Sequence, residues 1–247
     1  MKRNNKRVRN IPMRVVIPNM ITSGSVFCGV SSLILAAHGR FVPAALLICF
    51  ASFFDLMDGR VARTLGGGSA FGEELDSLAD AISFGVAPAF LIYCAFIGPG
   101  HGVWGPLGAS VFALCGVLRL ARFNVMHVPQ GPFQGLPIPA GGLSLCALVF
   151  SGLPVTPLVA MSALVGVGLL MVSSVPYCNA KKLKKSNVNR PKFYGVITFV
   201  ILCFAVLREK AMLVLAVVYI ASGLLKFDIS EWVMLSVDEE NSANGKD

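Results

Sequence analysis

Apolar runs of helix length follow one another from residue 15 to residue 227, and most of the segments between them are only long enough to turn the chain. A helix needs about 20 consecutive apolar residues to cross the hydrocarbon core of a bilayer. The pattern predicts helices over 15–37, 41–63, 71–97, 103–126, 138–152, 157–177, 193–207 and 211–227, the fifth and seventh being short for a full crossing. The separators carry breaker chemistry: "HGR" at 38–40, "GPGHG" at 98–102, "VPQGPFQGLPIP" at 128–139, "LPVTP" at 153–157 and "REK" at 208–210. With 55% hydrophobic and 14% charged residues, there is too little polar side chain to clothe a soluble domain. The expected fold is an all-α integral membrane bundle of about eight helices, with six as the lower bound. No repeat or second domain is visible, and the division is a basic segment over 1–14, a membrane domain over 15–227 and a tail over 228–247.

Charge orients such a bundle. If the N-terminus is cytoplasmic and the chain crosses eight times, all but three of the 21 basic residues fall on the cytoplasmic side, the exceptions being Arg40, Arg208 and Lys210. That asymmetry is the usual determinant of topology, and it places both termini in the cytoplasm. The basic runs at 2–14 and 181–192 are accounted for in this way, with attraction to anionic headgroups as a compatible second effect, and no nucleic acid is called for. "IPNMITSGS" interrupts the apolar start and no small-residue cleavage site follows, so a cleaved leader is not expected. The seven cysteines are scattered singly through apolar stretches, without the spacing of a zinc site or a disulfide framework.

Against this background the stretch "DLMDGRVARTLGGGSAFGEELDSLAD", residues 55–80, holds six of the 13 acidic residues. At about 100° per residue, Asp58, Gly59, Ala62 and Arg63 lie on one arc with Asp55, and Asp76 and Asp80 share a face with Gly72 on the next helix. The turn "TLGGGSA" then brings two pairs of carboxylates together at the cytoplasmic membrane surface. Four converging carboxylates repel one another unless cations neutralise them. Hard oxygen ligands favour Mg²⁺, Mn²⁺ or Ca²⁺ over zinc, and four acids suffice for two ions that retain positions for water and phosphate. Gly59 and Ala62 leave room for a bulky ligand, and Arg63 offers a planar fork for phosphate. Acids placed in helical spans are costly and usually functional, whereas Glu73 and Glu74 read as solvated. A transporter also puts carboxylates in spans, but near the midplane and without the Gly-Ala-Arg set.

The spacing of Asp55, Asp58-Gly59, Ala62-Arg63, Gly72, Asp76 and Asp80 resembles the signature of the CDP-alcohol phosphatidyltransferases. The resemblance implies a helical membrane enzyme that binds a CDP-linked lipid and two divalent cations, Mg²⁺ or Mn²⁺, transfers the phosphatidyl group to an alcohol and releases CMP. It implies that Asp55, Asp58, Asp76 and Asp80 hold the metals and that Asp80 also acts as general base. It points to Gly59 and Arg63 for the diphosphate, to Ser69 for the nucleotide and, through "PNMIT", to Asn19 and Thr22 on the nucleotide side. A homodimer is also implied.

Downstream, "LRLARFNV" and "FQGLPIPAGG" resemble the phosphatidylserine synthase branch, whose donor is CDP-diacylglycerol and whose acceptor is L-serine. Arg119 and Arg122, three residues apart near a cytoplasmic helix end, match a carboxylate, and Asn124 completes the acceptor set. The same pair would suit an inositol phosphate, and glycerol 3-phosphate or an ether-lipid donor would leave the same motif. Snorkelling arginines are the plain alternative. "GLPIP" at 135–139 is expected to be a rigid non-helical re-entry or a simple connection. His38 and His101 fall in outside loops, His127 lies near the cavity mouth, and Trp104 and Tyr177 read as interfacial anchors.

Overall fold

The computed structural model describes residues 13–66, 69–126, 135–175, 177 and 190–225. The basic residues from Lys2 to Arg9 and from Lys181 to Lys185, His127, the 128–134 connection and the 228–247 tail lie outside the described residues. Among those described, every regular element is helical. The helices are α1 (Met13–Ala37), α2 (Phe41–Thr64), α3 (Ala70–Ile97), α4 (Trp104–Met126), α5 (Ile138–Phe150), α6 (Pro157–Val172), α7 (Arg190–Leu207) and α8 (Ala211–Leu224). Four of them are long and apolar enough to cross a membrane, namely α1, α2, α3 and α4, while α5 and α6 are apolar but shorter.

Large apolar side chains cover the outside: Phe27, Phe50, Phe53, Phe123 and Leu158 are all more than half exposed. The inside is built from small residues, as expected where lipid removes the hydrophobic drive between helices and close packing replaces it. Ala44, Ala45 and Ala51 of α2 are fully buried, and Ser32 of α1 donates across the interface to Ala44 O at 2.9 Å. A Cβ on Gly29 of α1 would meet Ser83 Oγ of α3 at 2.7 Å and Ser83 Cα at 3.0 Å, so the two helices touch through backbone there. Ser83 Oγ donates to Ser25 O at 3.0 Å, which satisfies a hydroxyl buried at that crossing.

Helix α3 is not uniform. Its first three turns, Ala70–Asp80, are α-helical, then Ala81–Val86 and Tyr93–Ile97 widen into π-helix. Pro88 lacks an N–H and its ring conflicts with the carbonyl four residues earlier, and a π turn is one way a helix absorbs that. The first widened turn starts on the residue after Asp80.

Two expectations are corrected by the packing. Helix α6 ends at Val172 rather than 177: beyond it Val175 O accepts from Gly135 N at 2.9 Å, while Leu170 O in the last turn accepts from Leu136 N at 3.0 Å. Gly135 has φ +83°, and a Cβ there would overlap Met171 O, so residues 135–137 are non-helical and pinned against the end of α6. Tyr177 is 3% exposed and so is no interfacial anchor, whereas Trp104 is 65% exposed.

Candidate metal and phosphate site

The site is assembled from α1, α2, α3 and α4. The α2–α3 turn reverses the chain, and Ser69 fixes where α3 begins: its hydroxyl accepts from Gly72 N at 3.1 Å as an N-cap. Gly72 also admits α1, since a Cβ there would stand 2.9 Å from Asn19 Oδ1. Asn19, Ser69 and Gly72 therefore meet at the mouth of the α1–α3 crossing.

Asp55 from α2 and Asp76 and Asp80 from α3 each bring one carboxylate oxygen within 4.8 Å of the others. All three are partly buried. Asp58, one turn after Asp55, is 6% exposed and accepts a 2.7 Å hydrogen bond from Thr22 of α1 through Oδ2. Asp80 is in electrostatic contact with Asp55, Asp76 and Asp58, so the two pairs form one cluster. Three carboxylate oxygens this close, with a fourth acid beside them, are a hard-cation donor set, and the chemistry fits Mg²⁺ or Mn²⁺ better than zinc. Gly59 lies in the turn after Asp55, and among the described residues an added Cβ there would meet only Arg63 Nη1, at 3.7 Å. Arg63 itself is exposed, as are Glu73 and Glu74.

The downstream residues divide. Arg119 of α4 is in electrostatic contact with Asp80, which brings a guanidinium to the cluster. Arg122 is exposed. Asn124 pairs with Ser77 of α3: its Nδ2 donates to Ser77 Oγ at 3.1 Å, and Ser77 Oγ lies 3.3 Å from Asn124 Oδ1. Ser77 sits between Asp76 and Asp80 in sequence, and sequence reasoning passed over it. Its signal was available, since a serine amid motif acids on an apolar helix is a natural donor to the next helix. The Thr22–Asp58 bond was not legible, because nothing in the sequence says which α2 residue α1 crosses.

Residues 15–178 match the family model for CDP-alcohol phosphatidyltransferase. The chain is 36% identical over 230 residues to a CDP-diacylglycerol--serine O-phosphatidyltransferase of Helicobacter pylori, covering 90% of this chain and 93% of that one. It is 36% identical over 217 residues to the enzyme so named from Methanocaldococcus jannaschii, covering 86% and 94%. A Bacillus subtilis relative of the same name is 36% identical over 174 residues, covering 70% of this chain and 95% of its own.

Proposed function

The chain belongs to the CDP-alcohol phosphatidyltransferase family, and from that premise we propose that it is a phosphatidylserine synthase, moving the phosphatidyl group of CDP-diacylglycerol onto the hydroxyl of L-serine with release of CMP. The observation that carries the chemistry is the convergence of Asp55, Asp76 and Asp80 carboxylate oxygens within 4.8 Å, with Asp58 beside them. The likeness to relatives of that name along most of their length carries the acceptor.

Asp55, Asp58, Asp76 and Asp80 would hold the two divalent cations, Mg²⁺ or Mn²⁺, which would supply positive charge against the diphosphate and the departing CMP. Thr22 keeps Asp58 oriented through its hydroxyl. Asn19 and Ser69, at the α1–α3 mouth, face the nucleotide, while Gly59 leaves space for the diphosphate and Arg63 contacts it. The diacylglycerol tails remain in the bilayer, so the donor enters sideways between helices. Arg119 receives the serine carboxylate, with Asn124 and Arg122 at the outer edge of that pocket. Asp80 then takes the proton from the serine hydroxyl as its oxygen attacks the phosphorus bound to the glycerol oxygen, and the bond from that phosphorus to the CMP oxygen breaks. Holding both substrates against one cluster removes most of the entropic cost of bringing them together. The cluster lies on the cytoplasmic side of the inner membrane with both termini in the cytoplasm, in a bundle of eight crossings that works as a homodimer.

Purified protein with CDP-diacylglycerol, Mn²⁺ or Mg²⁺ and a panel of labelled alcohols tests this directly. CMP release dependent on serine is expected. Preferential use of glycerol 3-phosphate or an inositol phosphate would keep the chemistry and replace the acceptor, and absence of CMP release with every alcohol would remove the enzyme reading.

A further inference from the structure

At the end of the bundle away from the carboxylates, a cavity of about 460 Å³ lies between α2, α5, α7 and α8. Val42, Leu46 and Cys49 of α2 form one wall; at about 100° per residue they share a single narrow stripe of that helix. They precede Asp58 by nine to 16 residues, about 14–24 Å along the axis, so the cavity is separate from the metal site. Phe150 borders it from α5, Phe204 from α7 and Met212 from α8. Val42, Leu46 and Phe204 are each about half exposed, which leaves the cavity open sideways, toward the hydrocarbon of a surrounding bilayer. Its volume is that of a ligand pocket, for which roughly 300–1,000 Å³ is usual.

The rim of this apolar slot is charged. The turn Arg208–Lys210 joins α7 to α8 and passes through Arg208 at φ +45°, the one non-glycine residue with positive φ among those described. Arg208 and Glu209 both border the cavity. Glu209 leans over the end of α5, where a Cβ on Gly152 would stand 3.8 Å from its Oε2. The carbonyls that close a helix carry partial negative charge, and a carboxylate beside them makes a seat for a cation rich in N–H donors. Arg208, next in the chain, offers the planar fork that suits phosphate. A wholly anionic headgroup would satisfy Arg208 and set negative charge against Glu209. We propose that the cavity holds one acyl chain of a glycerophospholipid whose headgroup joins a phosphate to a primary ammonium, as in phosphatidylethanolamine, with the phosphate on Arg208 and the ammonium on Glu209. This lipid sits in the leaflet away from the carboxylates, and its binding does not depend on which acceptor the enzyme uses.

The test places the full-length protein in phosphatidylcholine nanodiscs doped with a phosphatidylethanolamine that carries a diazirine at the end of one acyl chain. After illumination and digestion, the labelled residues are read by mass spectrometry. Label is expected on 42–49 and 204–212 well above that on lipid-facing residues elsewhere, such as Phe27 of α1. Replacing part of the bulk lipid by unlabelled phosphatidylethanolamine should lower this label at least about fivefold more than replacing it by phosphatidylglycerol, which lacks the ammonium and so one charged hydrogen bond. Glu209→Gln should cancel that preference while the label stays in place, and Arg208→Gln should reduce the label itself. Leu46→Trp, which fills the slot without touching the rim, should abolish it and covers the case in which a rim variant does not fold. CMP release should be unchanged in all three, since the cavity lies apart from the acids. Label spread evenly over the exposed helices, equal displacement by the two lipids, a preference for phosphatidylglycerol, or a preference that survives Glu209→Gln would each overturn the assignment.

Discussion

The Thr22 hydroxyl lies 2.7 Å from Asp58 Oδ2 and 3.1 Å from Pro18 O, so its single proton serves either the carboxylate of α2 or the backbone of its own helix. The shorter contact joins α1 to an acid of the proposed metal site at a position where Asp58 is 6% exposed. A buried carboxylate with a fixed donor has one oxygen oriented and the other left for a cation.

Thr22→Val keeps the shape and deletes that donor. Partners that orient metal ligands typically contribute about 10- to 100-fold in metal affinity or activity. The expected outcome is a rise of that order in the Mn²⁺ or Mg²⁺ concentration giving half-maximal activity, with turnover largely recovered at saturating metal. An unchanged metal requirement would make the bond a matter of packing alone.

Asp76→Asn keeps the size of the side chain and removes its charge from the three-carboxylate cluster. Turnover should be lost at any practical metal concentration while the protein remains membrane-inserted and folded, as judged by its elution in detergent and its helical circular dichroism. The wild-type protein treated with EDTA should lose activity in the same way and regain it on adding Mg²⁺ or Mn²⁺.

Asp80→Asn tests the base. Removing a general base typically costs about 10²- to 10⁴-fold, and more is expected if Asp80 also holds a metal. Binding of a CDP nucleotide, measured calorimetrically, should survive better than turnover. Equal loss of both would leave Asp80 as a ligand only.

Much of the fold was legible because apolar runs and breakers report where helices start and stop, as with α2, predicted over 41–63 and observed over Phe41–Thr64. What periodicity does not report is how one helix meets another. The overlong estimate for α6 arose because Ser173 and Ser174 do not by themselves break a helix, yet the chain leaves it there and Val175 O accepts from Gly135 N. Tyr177 looked like a membrane-surface aromatic for the same reason: only its packing on Tyr219 and Gly223 places it inside. In the site, the helical arc through Asp55 and Asp58 was readable from about 100° per residue, but the arc assigns both acids one environment. The crossing of α1 separates them, giving Asp58 to Thr22 and leaving Asp55 among the clustered oxygens. The π turn over Ala81–Val86 was not legible, because hydrophobic periodicity does not distinguish one widened turn from α-helix.

Gly29→Ala tests the crossing that positions α3. The added methyl meets Ser83 Oγ at 2.7 Å and backbone at 3.0 Å, and the backbone cannot swing aside. Forcing a methyl into such a contact typically costs about 1–3 kcal/mol, so a lower thermal midpoint in detergent is expected. Gly166→Ala on α6, where an added Cβ meets nothing within 4 Å, should be neutral or slightly stabilising through helix propensity.

The two arginines of α4 were alike in sequence and are not alike in place. Arg119 is partly buried and in electrostatic contact with Asp80, and Arg122 is exposed. Replacement by Lys keeps the charge and loses the planar fork. Arg119→Lys should therefore raise the KM for serine by a charged hydrogen bond's worth, about 1.5–3 kcal/mol or roughly 10- to 150-fold where binding is at equilibrium. The KM for CDP-diacylglycerol should barely move, since on the proposed reading Arg63 and the metal site engage that substrate. Arg122→Lys should leave both constants within about twofold, because an exposed cation at a helix end anchors equally well as Lys. If the larger effect falls on Arg122, the acceptor pocket opens on the outer face of α4 and Arg119 serves only to balance the charge of Asp80. If both constants rise together in Arg119→Lys, that guanidinium touches the lipid phosphate as well, and the carboxylate of serine must be held elsewhere, with the Ser77–Asn124 pair a polar contact available between α3 and α4.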